Sequence, residues 1–215
     1  MKHLFFDLDG TITESRQKIT KEIKDFLSQL PNLIVISGAS REQMEYQLDG
    51  LKCITLAQSG NDTPLWQNKL SKEEKHEIYK HIFSLDWCIE PFMIEDRGCQ
   101  LSPSLIGHKA PTNIKKKFDP DQKIRRKLLK KCPFISRTLI CRIAGTTCLD
   151  YTRKNGDKGH NLERWIKENK LNKEDCVYFG DALFQGGNDE SVLGVMECVE
   201  VKDPQDLLVK IKNYV

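Results

Sequence analysis

The chain has no apolar run approaching the roughly 20 residues that a membrane-spanning helix requires, and it does not open with the basic-then-apolar layout of a secretory leader. A cytoplasmic protein with no membrane partner is the expectation. Eight cysteines are present, Cys53, Cys88, Cys99, Cys132, Cys141, Cys148, Cys176 and Cys198, but no C-x-x-C pair. That spacing argues against both a zinc site and a disulfide framework. Most of the cysteines lie in apolar segments such as "TLICRIAG" and "EDCVYFGD", where a reduced thiol acts as a small hydrophobe. No solenoid period or low-complexity tract appears. Charge imbalance is also slight: a net +3 is too little to argue for a nucleic-acid partner. What is present, 39% hydrophobic and 30% charged residues in a chain of 215, is the composition of a globular protein with room for one large domain or a core with an insert.

The apolar runs set the order of elements. "HLFF" reads as a short strand that ends in Asp7 and Asp9, and "TKEIKDFLSQL" as a helix with Ile23, Phe26, Leu27 and Leu30 on one face and Thr20 as N-cap. "NLIVISG" is a second continuous apolar strand, and "REQMEYQLDG" the helix behind it. This β-α-β-α pattern predicts a parallel sheet with helices on both faces. Near residue 70 the pattern changes to an amphipathic helix, "SKEEKHEIYKHIFSLD", two strand or hairpin segments, "FMIEDRGCQLSPSLIG" and "SRTLICRIAGTTCLDYT", and a basic helix, "DQKIRRKLLKKC", between them. After it come a helix, "GHNLERWIKENK", and two strands, "DCVYFGD" and "ECVEVKD". The expected organisation is a parallel α/β core over residues 1–69 and 154–215, interrupted by an α+β cap over 70–153. Open α/β sheets bind ligands at the carboxyl ends of their strands, and an insert reaching over that edge would exclude water.

Three of the predicted strand ends carry chemistry. Asp7 and Asp9 stand on the same side of an extended chain, where like charges raise each other's pKa unless a cation intervenes. Asp7 can serve as a nucleophile, since carboxylates form aspartyl-phosphate intermediates, and Asp9 can give and take a proton. Gly10 and Thr11 allow a tight turn around a phosphate. Mg²⁺, a hard cation suited to carboxylate and phosphate oxygens, would offset the crowding, with Asp181 as a third carboxylate. Lys158, just before a helix, would supply fixed positive charge. Ser37 and Gly38 in "ISGAS" would add a hydroxyl and backbone N–H donors. A lone D-x-D-G also occurs in calcium loops and ordinary turns, Ser37 alone reads as a cap, and Lys158 alone as a solvated lysine. The whole series in order, each member at a strand end, is hard to obtain by chance.

At these residues the chain resembles the haloacid dehalogenase superfamily, and more narrowly its eukaryotic-type phosphomannomutases. "DLDGTIT" followed by "SRQKITKEIKDFL", then "GASREQMEYQL", and "GDALFQGGND" with its G-D-x-x-x-x-G-G-N-D pattern carry the likeness. The resemblance implies a Rossmannoid core with a cap, Asp7 as nucleophile, Asp9 as acid/base and Lys158 as the stabilising lysine. It further implies Mg²⁺ held by Asp7, Asp181 and the carbonyl of Asp9, support from Asn188 and Asp189, and a substrate contact at Arg16. Hexose 1,6-bisphosphate as activator, a small-molecule sugar phosphate as substrate and a homodimer formed through the cap belong to the same implication.

The likeness is weaker in the cap. "RGCQLSPSLIGH" keeps Arg97 as a phosphate-binding arginine but places His108 where a second is expected, and Lys115 falls at the third. The sugar-contacting S-x-D pair becomes Cys148 and Asp150. Losing two arginine forks could cost about 2–5 kcal/mol of binding, by the usual size of charge-assisted hydrogen bonds. Two readings therefore stand: a mutase interconverting hexose 6-phosphate and hexose 1-phosphate, with mannose phosphate first, and a sugar-phosphate phosphatase on the same core. A binding module without catalysis is disfavoured because no catalytic carboxylate is missing.

Overall fold

The computed structural model describes residues 2–215. The chain divides into two compact units, one formed by the residues up to Gln67 together with Asn155–Val215, the other by Asn68–Lys154.

The first unit is built on a five-stranded sheet. β1 (His3–Phe6) pairs in parallel with β2 (Leu33–Ile36) on one side and β8 (Cys176–Gly180) on the other. β3 (Ile54–Leu56) and β9 (Glu197–Glu200) complete the order β3-β2-β1-β8-β9, also in parallel. Alternation along the strands feeds two cores. Leu4, Phe6, Val35 and Phe179 pack with Ile23 and Leu27 of α1 (Lys21–Leu27), Met44 and Leu48 of α2 (Arg41–Leu48) and Leu207 of α7 (Pro204–Lys210). Phe5, Ile34, Ile36 and Tyr178 pack with Leu162, Trp165 and Ile166 of α6 (Lys158–Glu168). Each buried side chain of this size contributes about 1.5–3 kcal/mol by removal from water. The chain runs outward from β1 through β2 to β3, then resumes at β8 on the opposite side, so the strand order reverses at β1 and its carboxyl end lies at the switch point of the sheet.

The helix starts are set locally. Thr20, as expected, caps α1 by accepting from Ile23 N, Ser40 caps α2, and Asp157 caps α6 by accepting from His160 N at 3.0 Å. The fifth strand, β3, was not foreseen: "ITL" is too short and too exposed at its start to show a period.

The second unit is an α+β layer with the antiparallel order β4-β5-β7-β6. β4 (Ile94–Asp96) pairs with β5 (Leu101–Pro103), and β6 (Leu139–Ala144) forms a hairpin with β7 (Cys148–Arg153). Leu101, Leu139, Leu149 and Tyr151 form one core with Ile78 and Ile82 of α3 (Lys72–Ile82) and Leu128 of α5 (Lys123–Lys131). "NIKKKF", whose lysine run reads equally as a solvated loop or as part of a cationic patch with Arg97, belongs to the short helix α4 (Thr112–Phe118). Arg125 of α5 is buried; its Nε bonds Asp119 Oδ2 at 2.7 Å and its Nη1 bonds the carbonyls of Ala144, Gly145 and Cys148. Those bonds tie the helix to the β6–β7 turn.

Among the described residues no helix is long and apolar enough to cross a membrane.

Candidate active site at the strand ends

Asp7 follows β1 directly and stays in register with the sheet, its N–H donating to Phe179 O at 2.9 Å. Asp181 follows β8, and Lys158 is the first residue of α6. Lys158 Nζ bonds Asp7 Oδ1 at 2.5 Å and Asp189 Oδ1 at 2.6 Å, all three groups being almost wholly removed from solvent. Tyr178 Oη donates to the same Asp189 oxygen at 2.8 Å. Carboxylate oxygens of Asp7, Asp181 and Asp189 lie within 4.8 Å of one another.

The charges in this cluster do not balance. Burial pushes Asp7 well above the ordinary carboxylate value, against the opposing pull of Lys158, and the neighbouring Asp189 and Asp181 push it further. Burial, then Asp189, raises Asp181 as well. Burial alone would lower the Lys158 ammonium, but Asp189 and Asp7 overcome it and hold its pKa above the usual lysine value. One retained ammonium among three carboxylates leaves the cluster short of positive charge. An oxygen-only donor set with that deficit fits a hard divalent cation such as Mg²⁺. A second observation points to a ligand here: among the described residues, Thr11 Oγ1, in the loop just beyond Asp7, is a buried polar side-chain atom with no hydrogen-bond partner, a cost of about 1–3 kcal/mol that a phosphate or metal-bound water would remove.

Gly10 and Gly180 are required by close approach to these carboxylates. Gly10 has φ +84° and a Cβ there would run into the Asp181 carboxylate, while a Cβ on Gly180 would meet the Asp189 carboxylate and the Tyr178 ring.

Asp9 stands outside the carboxylate triad. Its Oδ1 accepts from Arg16 N at 2.7 Å and from Gln47 Nε2 at 3.0 Å. Arg16 therefore contributes its main chain, with φ 60°, and its side chain is exposed. Gln47 also donates to Thr13 Oγ1 at 2.9 Å and accepts from Gln43 Nε2 at 3.1 Å. Ser37, at the end of β2, is buried and its Oγ accepts from Ala39 N at 3.1 Å, so the hydroxyl caps the turn that contains Gly38. Asn188 is exposed beside the buried Asp189.

A second cluster lies wholly in the inserted unit. Arg97 Nε and Nη2 bond Glu95 Oε2 at 3.1 and 2.5 Å. Burial lowers the Arg97 pKa, but Asp150 and Glu95 outweigh it and hold the guanidinium charged. His108 bridges Glu95 and Ser102, and the Lys115 ammonium bonds the His108 carbonyl oxygen. Asp150 accepts from Ser102 Oγ at 2.5 Å and Gln100 Nε2 at 3.0 Å. Cys148, its thiol pushed up by burial and by Asp150, sits beside Thr147 Oγ1 at 3.7 Å. Arg97, His108, Lys115, Cys148 and Asp150 thus gather in one place.

Sequence reasoning missed Gln47, Tyr178 and Glu95. Gln47 had a signal, a glutamine on the same buried helix face as Met44 and Leu48. Glu95 had one too, standing two residues before Arg97 in an extended segment and so on the same face. Tyr178 had none, because in a continuous apolar strand it reads as core.

No family model matches the chain. It is similar to the phosphomannomutase of Encephalitozoon cuniculi, 26% identical over 234 aligned positions that cover 96% of this chain and 90% of that protein. Phosphomannomutase 1 of Dictyostelium discoideum is 29% identical over 214 positions, 87% of this chain and 84% of that one. Among solved structures, a protein from Streptococcus mutans superposes with a TM-score of 0.70 at 15% identity, covering 99% of this chain and 98% of the other. A phosphatase of the haloalkanoate superfamily from Bacteroides thetaiotaomicron gives 0.66 at 12% identity, covering 100% and 95%. A haloacid dehalogenase-like hydrolase from B. subtilis gives 0.64 at 13%, covering 97% and 93%. The structural likenesses carry the fold, that of haloacid dehalogenase-like proteins, and the likeness in sequence to phosphomannomutases runs along nearly the whole chain.

Proposed function

We propose that the chain is a Mg²⁺-dependent phosphomannomutase-like enzyme that interconverts hexose 6-phosphate and hexose 1-phosphate through a phosphorylated Asp7. The observation that carries this reading is the buried Asp7–Lys158–Asp189 chain beside Asp181 at the switch point of a parallel sheet. Asp7, one oxygen of which is fixed by Lys158, uses the other to attack one phosphorus of a bound hexose 1,6-bisphosphate; the bond from that phosphorus to the sugar oxygen breaks, and Asp9 protonates the departing oxygen, leaving a hexose monophosphate. In the second half Asp9 takes the proton from the accepting hydroxyl, which attacks the phosphorus of the aspartyl phosphate and returns Asp7 to its carboxylate. Asp7, Asp181 and the Asp9 carbonyl would hold Mg²⁺, which supplies charge neutralisation at the phosphoryl oxygens. Asp189 anchors Lys158, and Asn188 supports that end. Thr11 and the Ser37–Gly38 turn would receive the phosphate.

In the inserted unit we assign sugar and distal-phosphate recognition to Arg97, His108, Lys115, Cys148 and Asp150. Lysine and arginine clearly outnumber aspartate and glutamate across Asn68–Lys154, which fits an anionic ligand.

A phosphatase reading is favoured by one observation: Arg97 spends its fork on Glu95, and Lys115 bonds the His108 carbonyl. A site that grips a bisphosphate weakly would pass the phosphoryl group from Asp7 to water. The deciding experiment supplies mannose 1-phosphate, a trace of hexose 1,6-bisphosphate and Mg²⁺, and follows mannose 6-phosphate against free phosphate. Isomer formation that stops on chelation is expected; phosphate release without isomer would replace the mutase by the phosphatase, and turnover in chelator would remove the metal.

Gln47 is expected to orient Asp9. Gln47→Leu should lower kcat for a sugar phosphate by about tenfold, a fraction of what general acid–base catalysis supplies. It should affect p-nitrophenyl phosphate little, because that leaving group needs no proton. An equal loss on both substrates would show that Gln47 supports the fold rather than the acid.

A further inference from the structure

The surroundings of the His108 ring bear on its charge. Nε2 lies 2.7 Å from the main-chain carbonyl oxygen of Ser102, which can only accept, so that nitrogen carries a proton. Nδ1 lies 3.3 Å from Glu95 Oε1. A neutral ring protonated at Nε2 would leave an unprotonated Nδ1 beside a carboxylate. Protonating Glu95 on Oε1 instead would weaken the charge-assisted bond that its Oε2 makes with the Arg97 guanidinium at 2.5 Å. The Glu95 carboxylate beside Nδ1 favours a second proton on this ring, whose side chain is only 8% exposed.

The surrounding charges make that proton consequential. Glu95 faces the His108 ring from β4 and is itself bonded by Arg97 of the turn after it, Lys115 of α4 bonds the His108 main-chain carbonyl, and Asp150 of β7 is joined through Ser102. Two carboxylates, a guanidinium and an ammonium are gathered there, so a proton on His108 adds positive charge to the cluster. Losing it would also leave the Glu95 charge less compensated on the side where His108 stood against it.

We propose that His108 is the proton-dependent cation of the inserted unit's phosphate-recognition cluster, so that binding of a phosphorylated sugar is gated by pH. This rests on the proposed function of the cluster and adds its regulation. The sign follows from linkage: the protonated ring favours the anionic ligand, so KM is low below the titration of His108 and rises above it, by at most about tenfold per pH unit for one proton. kcat, set at Asp7 and Asp9, does not follow.

The test uses the full chain. ¹⁵N-histidine NMR, with His108→Gln to assign the resonances, reads the ring directly, and KM for mannose 1-phosphate is measured between pH 6.5 and 9 in the wild type, His108→Arg and His108→Gln. An imidazolium at pH 7 is expected, with KM rising with pH in the wild type, flat and low in His108→Arg, and flat and high in His108→Gln. A neutral His108 at pH 7, or an undiminished rise in His108→Arg, overturns the proposal. If the wild type turns over no sugar phosphate at any pH, the proposed function fails by itself. The gate is then read by titrating inorganic phosphate at pH 6.5 and 8.5: weaker binding at the higher pH in the wild type, but not in His108→Arg, upholds it, and the same dependence in both overturns it.

Discussion

Asp7→Asn is expected to yield a folded chain without measurable phosphoryl transfer. The amide keeps the size of the carboxylate and can still meet Lys158, but it cannot attack phosphorus. Removing a nucleophile that acts as a unit with its partners costs on the order of 10⁴-fold or more in kcat. The fold should tolerate the change because it removes one of three crowded carboxylates while Lys158 keeps Asp189. Turnover and a thermal melt on the same preparation check both halves. Retained turnover would remove Asp7 as the nucleophile; a collapsed melting transition would mean that the lost activity reports unfolding.

Lys158→Met is the second large effect, and it should act on stability as well as on rate. Lys158 is the ammonium that faces both Asp7 and Asp189 in a buried site. Methionine fills a similar volume, so the loss is one of charge. Breaking a buried pair by deleting one partner typically costs about 3–5 kcal/mol, because the other charge is left uncompensated. At about 2–4 °C per kcal/mol for a chain of this size, Tm should fall by roughly 6–20 °C. Millimolar Mg²⁺ should restore more of Tm in the variant than in the wild type, since the carboxylates then lack any other positive charge. Activity should be lost even where the fold is restored. An unchanged Tm would show that the carboxylates are not held as charges around Lys158.

How much of this was visible in one dimension follows from particular elements. The runs "HLFF", "NLIVISG" and "DCVYFGD" are buried on both faces, so they read as unbroken apolar strands and form three adjacent strands of the sheet. β3 escaped because three residues at a sheet edge carry too little pattern, and α4 because its lysines, on a helix one side of which is solvated, resemble a loop. Gln47 could be suspected from its place among Met44 and Leu48, but its target, Asp9, lies 38 residues earlier. Tyr178 looked like core until its hydroxyl was seen on Asp189.

Periodicity and turn chemistry were enough to establish the parallel α/β class and the placing of Asp7, Lys158 and Asp181 at element ends, with Asp9 in the loop after β1, since burial on two faces and the termination of a strand are local and leave their mark in residue order. Which carboxylates share the ammonium, and which cations are already spoken for, was decided in three dimensions. Asp189, which the motif offered only as support, bonds Lys158 as closely as Asp7 does, and Glu95 takes the fork of Arg97 and faces the ring of His108. Electrostatic energy depends on distance and burial, and neither is written in the spacing of residues along a chain.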